Sequence, residues 1–429
     1  MTDVFSELKE ELLKNNTIAS HFYEKFDVKR GLRNRDGSGV LAGLSHISSV
    51  VGFHKIEGDI HPVEGDLKYR GVSISTLLPS LVKQRYVFEQ VIFLLMVGRL
   101  PSDQELETLL AYFQSNQTLP QPVLDIIEQL PSQNIMNKLQ TAVSALYAFD
   151  PEPDSLDPYE NFLKSLRLLA KLPAILVYSY EAAFGQGNFY KSPKQLSVAE
   201  TFLSLLRGTD QPNPADVAIF DLCLMLHAEH GGGNNSTFTT YVVSSSGSDL
   251  YSTLAAAIAS LKGPLHGAAN KKVMEMMADI RAHVSDWSNE TELKDYVSCL
   301  IRKEAHDHSG KLYGLGHAVY TKSDPRAVII LEQARILAAA KKREKELTLY
   351  EDVASFGPQL FQEIKKSDKV ISPNVDFFSG FVYDCLGIPT ELYTPIFALA
   401  RTAGWCSHRI EEMLSGKRII RPGYKFVQS

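Results

Sequence analysis

The sequence predicts a mostly α-helical protein with a small β region near its N-terminus. Three observations carry this. Stretches of β-branched residues set between Gly and Pro, the mark of strands, are few and lie before about residue 74. Beyond that point apolar residues recur almost everywhere at helical spacing. Two of the later helices are so apolar, or so rich in small residues, that they belong inside a large bundle.

The elements follow in order. MTDVFSELKEELLKNN at the start is acidic, polar and helix-like, unlike a signal or transit peptide. Val40 to Phe53, VLAGLSHISSVVGF, and short pieces up to Tyr69-Arg70 supply the strand signals. Tyr86 to Val97 reads as an apolar helix stopped by Gly98, with Pro101 beyond it. The loop DPEPDSLDP, Asp150 to Pro158, precedes a helix over Asn161 to Tyr180. Asn213 caps a helix that opens on Pro214 and runs to about His230. Asp249 caps LYSTLAAAIASLK, which Gly263 and Pro264 close. A further helix is expected over roughly Ala269 to Ile280, and the charged stretch Glu332 to Asp352 reads as a solvated helix face.

Composition narrows the classes of function. The 429 residues, 44% hydrophobic and 22% charged, suit a globular protein of about two domains. The net charge is −6, and no basic cluster exceeds KKREK at Lys341 to Lys345, so nucleic acid is not expected as a partner. The longest purely apolar run, Val91 to Val97, falls far short of the roughly 20 residues that span a bilayer. Four scattered cysteines without CxxC pairing suggest reduced thiols and a cytoplasmic protein.

Polar islands interrupt the apolar pattern. In His227-Ala-Glu-His230-GGGNNST two histidines three apart would share a helix face, so a metal pair has to be weighed. No third ligand is evident, and the alternatives are a helix C-terminus with His230 against the last carbonyls, or His230 facing an anion. In GPLHGAAN, His266 stands among tiny residues before a helix, whose positive end would disfavour imidazolium. A neutral ring there can donate N–H to a developing oxyanion; a satisfied turn histidine is the bland alternative. LYGLGHAVY holds His317 between glycines, with Arg326 further on in DPR able to fork a carboxylate. In SPNVDFFSG the carboxylate of Asp376 sits among Val and Phe, where desolvation suits a general base, unless Asp376 simply caps a helix. Arg401 in LARTAGW and Arg421 in IIRPGY complete the set.

Three histidines, one desolvated carboxylate and three arginines suggest carbon-acid chemistry on a small di- or tricarboxylate. The motifs HAEHGGGNNST, GPLHGAAN, GLGHAVYTKSDPRA, NVDFFSG and LARTAGW, in this order, resemble the citrate synthase family. The similarity extends from KRGLRNRDGSG near Lys29 to RPGY at Arg421. Gly231 stands where many members have Glu, Tyr241 where Arg or His is frequent, and Ala268 where Gly is common. These departures bear on substrate preference.

The resemblance implies a helical fold of two domains. Residues 1–267 and 377–429 would form the large one and 268–376 a smaller one that binds CoA and closes the cleft. It implies a homodimer of the dimeric (Si) type with a shared active site, no metal and no permanently bound cofactor. The reaction would be an acyl transfer in which the acyl group becomes an alkyl group. Acetyl-CoA, oxaloacetate and water give citrate and CoA; propionyl-CoA in its place gives 2-methylcitrate. Asp376 would be the base, His266 the enol-stabilising donor and His317 the acid at the ketone. His230, Arg326, Arg401 and Arg421 would bind carboxylates, and Leu315-Gly316 would offer backbone groups to the CoA adenine.

Overall fold

The computed structural model describes residues 9–427 apart from residues 58, 84, 186, 188, 190–194 and 368–369. Two compact units divide the chain, one made of the N-terminal residues up to Leu44 and those from Ile420 on, the other of Ser45–Ile419. In the first, short helices Lys9–Asn16 and Ser20–Lys25 lead to a turn at Arg30–Leu32, and the Lys425 ammonium lies 5.6 Å from the centre of the Phe26 ring.

The second unit opens with an antiparallel sheet of β1 (Ser48–Ile56), β2 (Asp59–Tyr69) and β3 (Val72–Ser73), in that order. β1 pairs from Ser48 with Tyr69 to Ile56 with Asp59, and its register shifts between Val51 and Phe53. Strand structure begins at Ser48 and not at Val40, because only from Ser48 on does the chain face a partner strand.

Among the described residues, the named elements that follow the sheet are all helices. The helices that matter below are α1 (Val87–Val97), α2 (Pro158–Phe184), α3 (Pro214–His227), α4 (Asn235–Ser244), α5 (Leu250–Lys262), α6 (Ala269–His283), α7 (Pro325–Lys341), α8 (Val375–Cys385) and α9 (Tyr393–Ser415). Local signals set most of their ends. Asn213 Oδ1 accepts from the Ala215 and Asp216 amides, Asp249 Oδ1 from Ser252, and Gly98 closes α1 with a φ of 97°. The charged stretch from Glu332 is split between α7 and the helix Glu344–Lys365 by Lys342 at a φ of 58°. Across it Arg335 and Glu351 pair at 2.6 Å on an exposed face. α9 is the axis of the core: it packs on α1, α2, α4 and α5, and buries Trp405, Ala400 and Cys406 completely. Among the described residues no helix is long and apolar enough to cross a membrane.

One helix ends earlier than its pattern suggests. α3 stops at His227, not near His230, because tertiary donors capture the carbonyls that the next turn would use. Arg401 Nε donates to His227 O at 2.8 Å, and the Gly404 amide to Ala228 O at 3.1 Å. His227 and His230 therefore do not share a helix face. Among the described residues no group of three or more His, Cys, Asp or Glu could hold a metal ion.

Two buried carboxylates stitch α1 into the core. Asp221 accepts from the Val87 and Phe88 amides at 2.6 and 3.0 Å, and caps a helix that lacks a side-chain cap of its own. Glu89 accepts from Val198 N at 2.8 Å, while its Oε2 has no partner among the described residues. Burial first, and then the Asp221 charge, holds the Glu89 carboxyl well above its ordinary value of 4.5. A raised folded-state value means stability that is complete below 4.5 and is lost as pH climbs through the folded value. Glu89→Gln keeps the acceptor without the charge. Its melting temperature is expected to fall less than that of the parent between pH 5 and 8; equal slopes would show that Glu89 is not the titrating group.

Candidate active site

His266 lies between α5 and α6, in a turn with Leu265 wholly exposed beside it. The Ser236 backbone N–H at the start of α4 donates to His266 Nε2 at 3.3 Å, and Ser236 Oγ is 3.0 Å from the same nitrogen. A backbone amide only donates, so Nε2 is the unprotonated nitrogen and the neutral ring carries its proton on Nδ1. Trp405 Nε1 donates to Ser236 Oγ at 3.3 Å and ties this support to α9. Burial, with the Arg401 charge second, depresses His266 to about 4. Desolvation and a nearby cation thus favour the neutral ring.

The loop before α7 carries His317. Its Nδ1 accepts from the amides of Val319 and Tyr320 at 3.0 and 3.1 Å, which puts the ring proton on Nε2. His230 stands edge-on to His317 with ring centres 5.0 Å apart, and its Nε2 is 3.2 Å from the Tyr320 hydroxyl. Burial, then the charges of Arg326 and Arg401, keep His230 far below its ordinary value. The small sheet backs this loop. Thr321 Oγ1 donates to Gly52 O at 2.9 Å, and a Cβ on Gly52 would sit 2.4 Å from Val319 O, so only glycine allows that approach.

Asp324 and Arg326 open α7. Asp324 Oδ1 accepts from the Arg326 amide and from its Nε, both at 3.0 Å, and Oδ2 accepts from Nη2 at 2.7 Å. The same Oδ2 accepts from Val375 N at 3.2 Å, at the start of α8. Asn374, not Asp376, caps α8: its Oδ1 accepts from the Asp376 amide at 3.0 Å. The Asp376 carboxylate is therefore free of capping duty and only half-buried. Burial, against the Arg326 charge and with that of Asp324, pushes it up to about 6.

Arg401 on α9 is completely buried. Nε is satisfied by His227 O, but Nη1 and Nη2 have no partner among the described residues. Burial lowers its value to about 10, so it stays cationic at neutral pH. A buried guanidinium with two open donors is costly unless an anion meets it. A fork of this kind suits a carboxylate.

Two of these side chains, His266 and His317, line a cavity of about 580 Å³ together with Leu315, Gly316, Asn374 and Lys272, among others. Gly316 N donates to Ser372 O at 2.8 Å, and Gly316 O accepts from Asn374 Nδ2 at 2.9 Å. Both of its backbone groups are engaged, and so is the Leu315 amide, which donates to Leu312 O at 3.2 Å. Arg421 belongs to the other compact unit, where it is exposed. Sequence reasoning singled out the three histidines, Asp376, Arg326 and Arg401. It passed over Ser236, Tyr320, Asp324, Glu229 and His408. Of these only Asp324 carried a local signal, as an N-cap ahead of Pro325 and two residues before an arginine.

Residues 36–423 match the family described as citrate synthase, C-terminal domain. Citrate synthase 2 of Bacillus subtilis is 34% identical over 393 residues, covering 90% of this chain and 93% of its own. 2-Methylcitrate synthase 1 of Corynebacterium glutamicum is 33% identical, with 92% and 94% covered. The solved citrate synthase of Thermoplasma acidophilum, in ternary complex with carboxymethyl-CoA and oxaloacetate, superposes with a TM-score of 0.75 at 27% identity, covering 94% of this chain and 96% of that one. The chain belongs to the citrate synthase family, whose members transfer acyl groups.

The Asp324–Arg326 pair is nearly inaccessible, with 1% and 3% of its surface exposed. Asp324→Asn leaves a buried cation without its counter-charge. The expected loss is about 3 kcal/mol of stability in denaturant titration. A loss below 1 kcal/mol would show that the pair is not what holds α7 to α8.

Proposed function

We propose that the protein condenses oxaloacetate with acetyl-CoA and water to give citrate and CoA. The observation that carries this is a carboxyl, Asp376, pushed up to about 6 and a neutral histidine, His266, both in the field of Arg401, a buried arginine with two unpaired donors. Asp376 takes a proton from the methyl carbon of the thioester. His266, through Nδ1–H, hydrogen-bonds the thioester oxygen as the enol forms; a neutral donor is matched to that oxygen better than a cation that would hand over its proton outright. The enol carbon attacks the ketone of oxaloacetate, and His317 gives its Nε2 proton to the ketone oxygen. Water then cleaves the citryl thioester and releases CoA.

His230, Arg326 and Arg401 hold the carboxylates, joined by Arg421 of the partner subunit in a homodimer. The backbone at Leu315-Gly316 receives the adenine of CoA. Residues 268–376 act as the smaller domain that closes over it, against a larger one of 1–267 and 377–429. Four free cysteines suit a reducing, cytoplasmic setting.

A second reading has support of its own, since a 2-methylcitrate synthase matches as well as the citrate synthases do. One methylene in an apolar pocket discriminates by only about 1–3 kcal/mol. Free-thiol release with oxaloacetate and either acetyl-CoA or propionyl-CoA, in EDTA, tests both. Release confirms the condensation, the ratio of kcat/KM ranks the acyl groups, and no release with either overturns the reading.

Two further outcomes follow from the roles. Asp376→Asn is expected to lower kcat by several orders of magnitude with oxaloacetate affinity nearly intact; an affinity loss as large as that of an Arg401 variant would contradict the assignment. Because a base works ionised, kcat/KM for the thioester is expected to fall as pH drops through about 6, and a profile flat to pH 5 would exclude Asp376 as that base.

A further inference from the structure

One buried polar cluster is not used by the chemistry above. Arg401, Gly404 and His408 recur at helical spacing on one face of α9. Glu229 packs against this stripe at Gly404, where a Cβ would come within 2.1 Å of Glu229 Oε2. Glu229 thus lies between two cation-forming side chains of a single helix, and all three groups are wholly buried.

It pairs with only one of them. Glu229 Oε1 accepts from His408 Nε2 at 2.9 Å, from Ser48 Oγ at 2.9 Å and from the Gly231 amide. Its Oε2 has no partner among the described residues, and neither have Arg401 Nη1 and Nη2. Opposite charges with open valences have been left apart in the same interior. His408 accounts for this. Its Nδ1 is 2.7 Å from the Tyr241 hydroxyl, which spends its own proton on Glu411 Oε2 at 2.8 Å, so Nδ1 must be a donor. Nε2 faces a carboxylate and donates as well, which makes the ring an imidazolium.

We propose that His408 is a positioning residue that claims Glu229 and so keeps the Arg401 fork open for the substrate carboxylate. Without the charge on His408, Glu229 is an uncompensated buried anion, the other cation that acts on it is Arg401, and their pairing closes the carboxylate site from within. The role rests on the reading of Arg401 as a carboxylate ligand. It also gives a place to Tyr241, whose hydroxyl steadies the imidazolium between Glu229 and Glu411.

The test compares steady-state kinetics and calorimetric oxaloacetate binding in the parent enzyme, His408→Gln, the double variant Glu229→Gln/His408→Gln, and Arg401→Leu. Glutamine preserves a neutral donor to Glu229 and removes only the charge. His408→Gln is expected to raise KM and Kd for oxaloacetate about tenfold, with a smaller change in kcat and none in KM for the thioester. The double variant, with no anion left to seize Arg401, is expected to recover to within about threefold of the parent. A purely structural role predicts the reverse, a double variant at least as impaired as the single. That result, or an unchanged KM in His408→Gln, overturns the proposal. Should His408→Gln fail to fold, Glu229→Gln alone decides: oxaloacetate KM near the parent value supports the proposal, and a tenfold rise sinks it. An Arg401→Leu variant that still binds oxaloacetate normally would instead refute the ligand role of Arg401, and this inference with it.

Discussion

The carboxylate of Asp324 is the joint on which the geometry of the candidate site depends. It binds the Arg326 guanidinium through two hydrogen bonds, caps the helix that Pro325 begins, and accepts the amide that begins α8. A buried ion pair is tolerable only when its geometry is good and its remaining lone pairs are used, and all of these are. Arg326 and the first turn of α8 are thereby held to one point, and the carboxylate of Asp376 lies one residue beyond the amide that Asp324 receives. An arginine suited to a carboxylate and a carboxylate suited to a carbon acid cannot drift apart without breaking this joint.

Around that joint, burial does different work on different groups. It pushes Asp376 up to about 6 and His266 down to about 4, because in each case the charged form is the one that loses its hydration. The Arg401 cation reinforces the second shift and opposes the first. The same low-dielectric interior thus leaves Asp376 a carboxylate still ionised at neutral pH and His266 a ring that remains uncharged, the two states that the proposed mechanism requires. The tautomers are set by backbone amides, Ser236 for His266 and Val319 with Tyr320 for His317, so the donor nitrogens are decided by parts of the chain that cannot change protonation.

Much of this was legible from residue order. The caps Asn213 and Asp249 and the stop at Gly98 behave as their local chemistry requires. Where the reading failed, tertiary contacts had overruled a local pattern. α3 carries a helical signal to His230 but ends at His227, since α9 takes its last carbonyls. Asp376 looks like a cap, but Asn374 does the capping and leaves Asp376 its carboxylate. For His266, burial and the field of Arg401 act in the direction of the neutral ring that the sequence led one to expect.

The sequence by itself determined the helical elements and the kinds of reactive side chain, because caps, turns and hydrophobic period act over a few neighbouring residues. The pairings were decided only by the tertiary structure. Asp324 meets the Val375 amide across 51 positions, and Glu229 meets His408 across 179. Which nitrogen holds a proton, and which buried arginine is left open, depends on every charge and donor that folding gathers around the group, and no local stretch of sequence contains that sum.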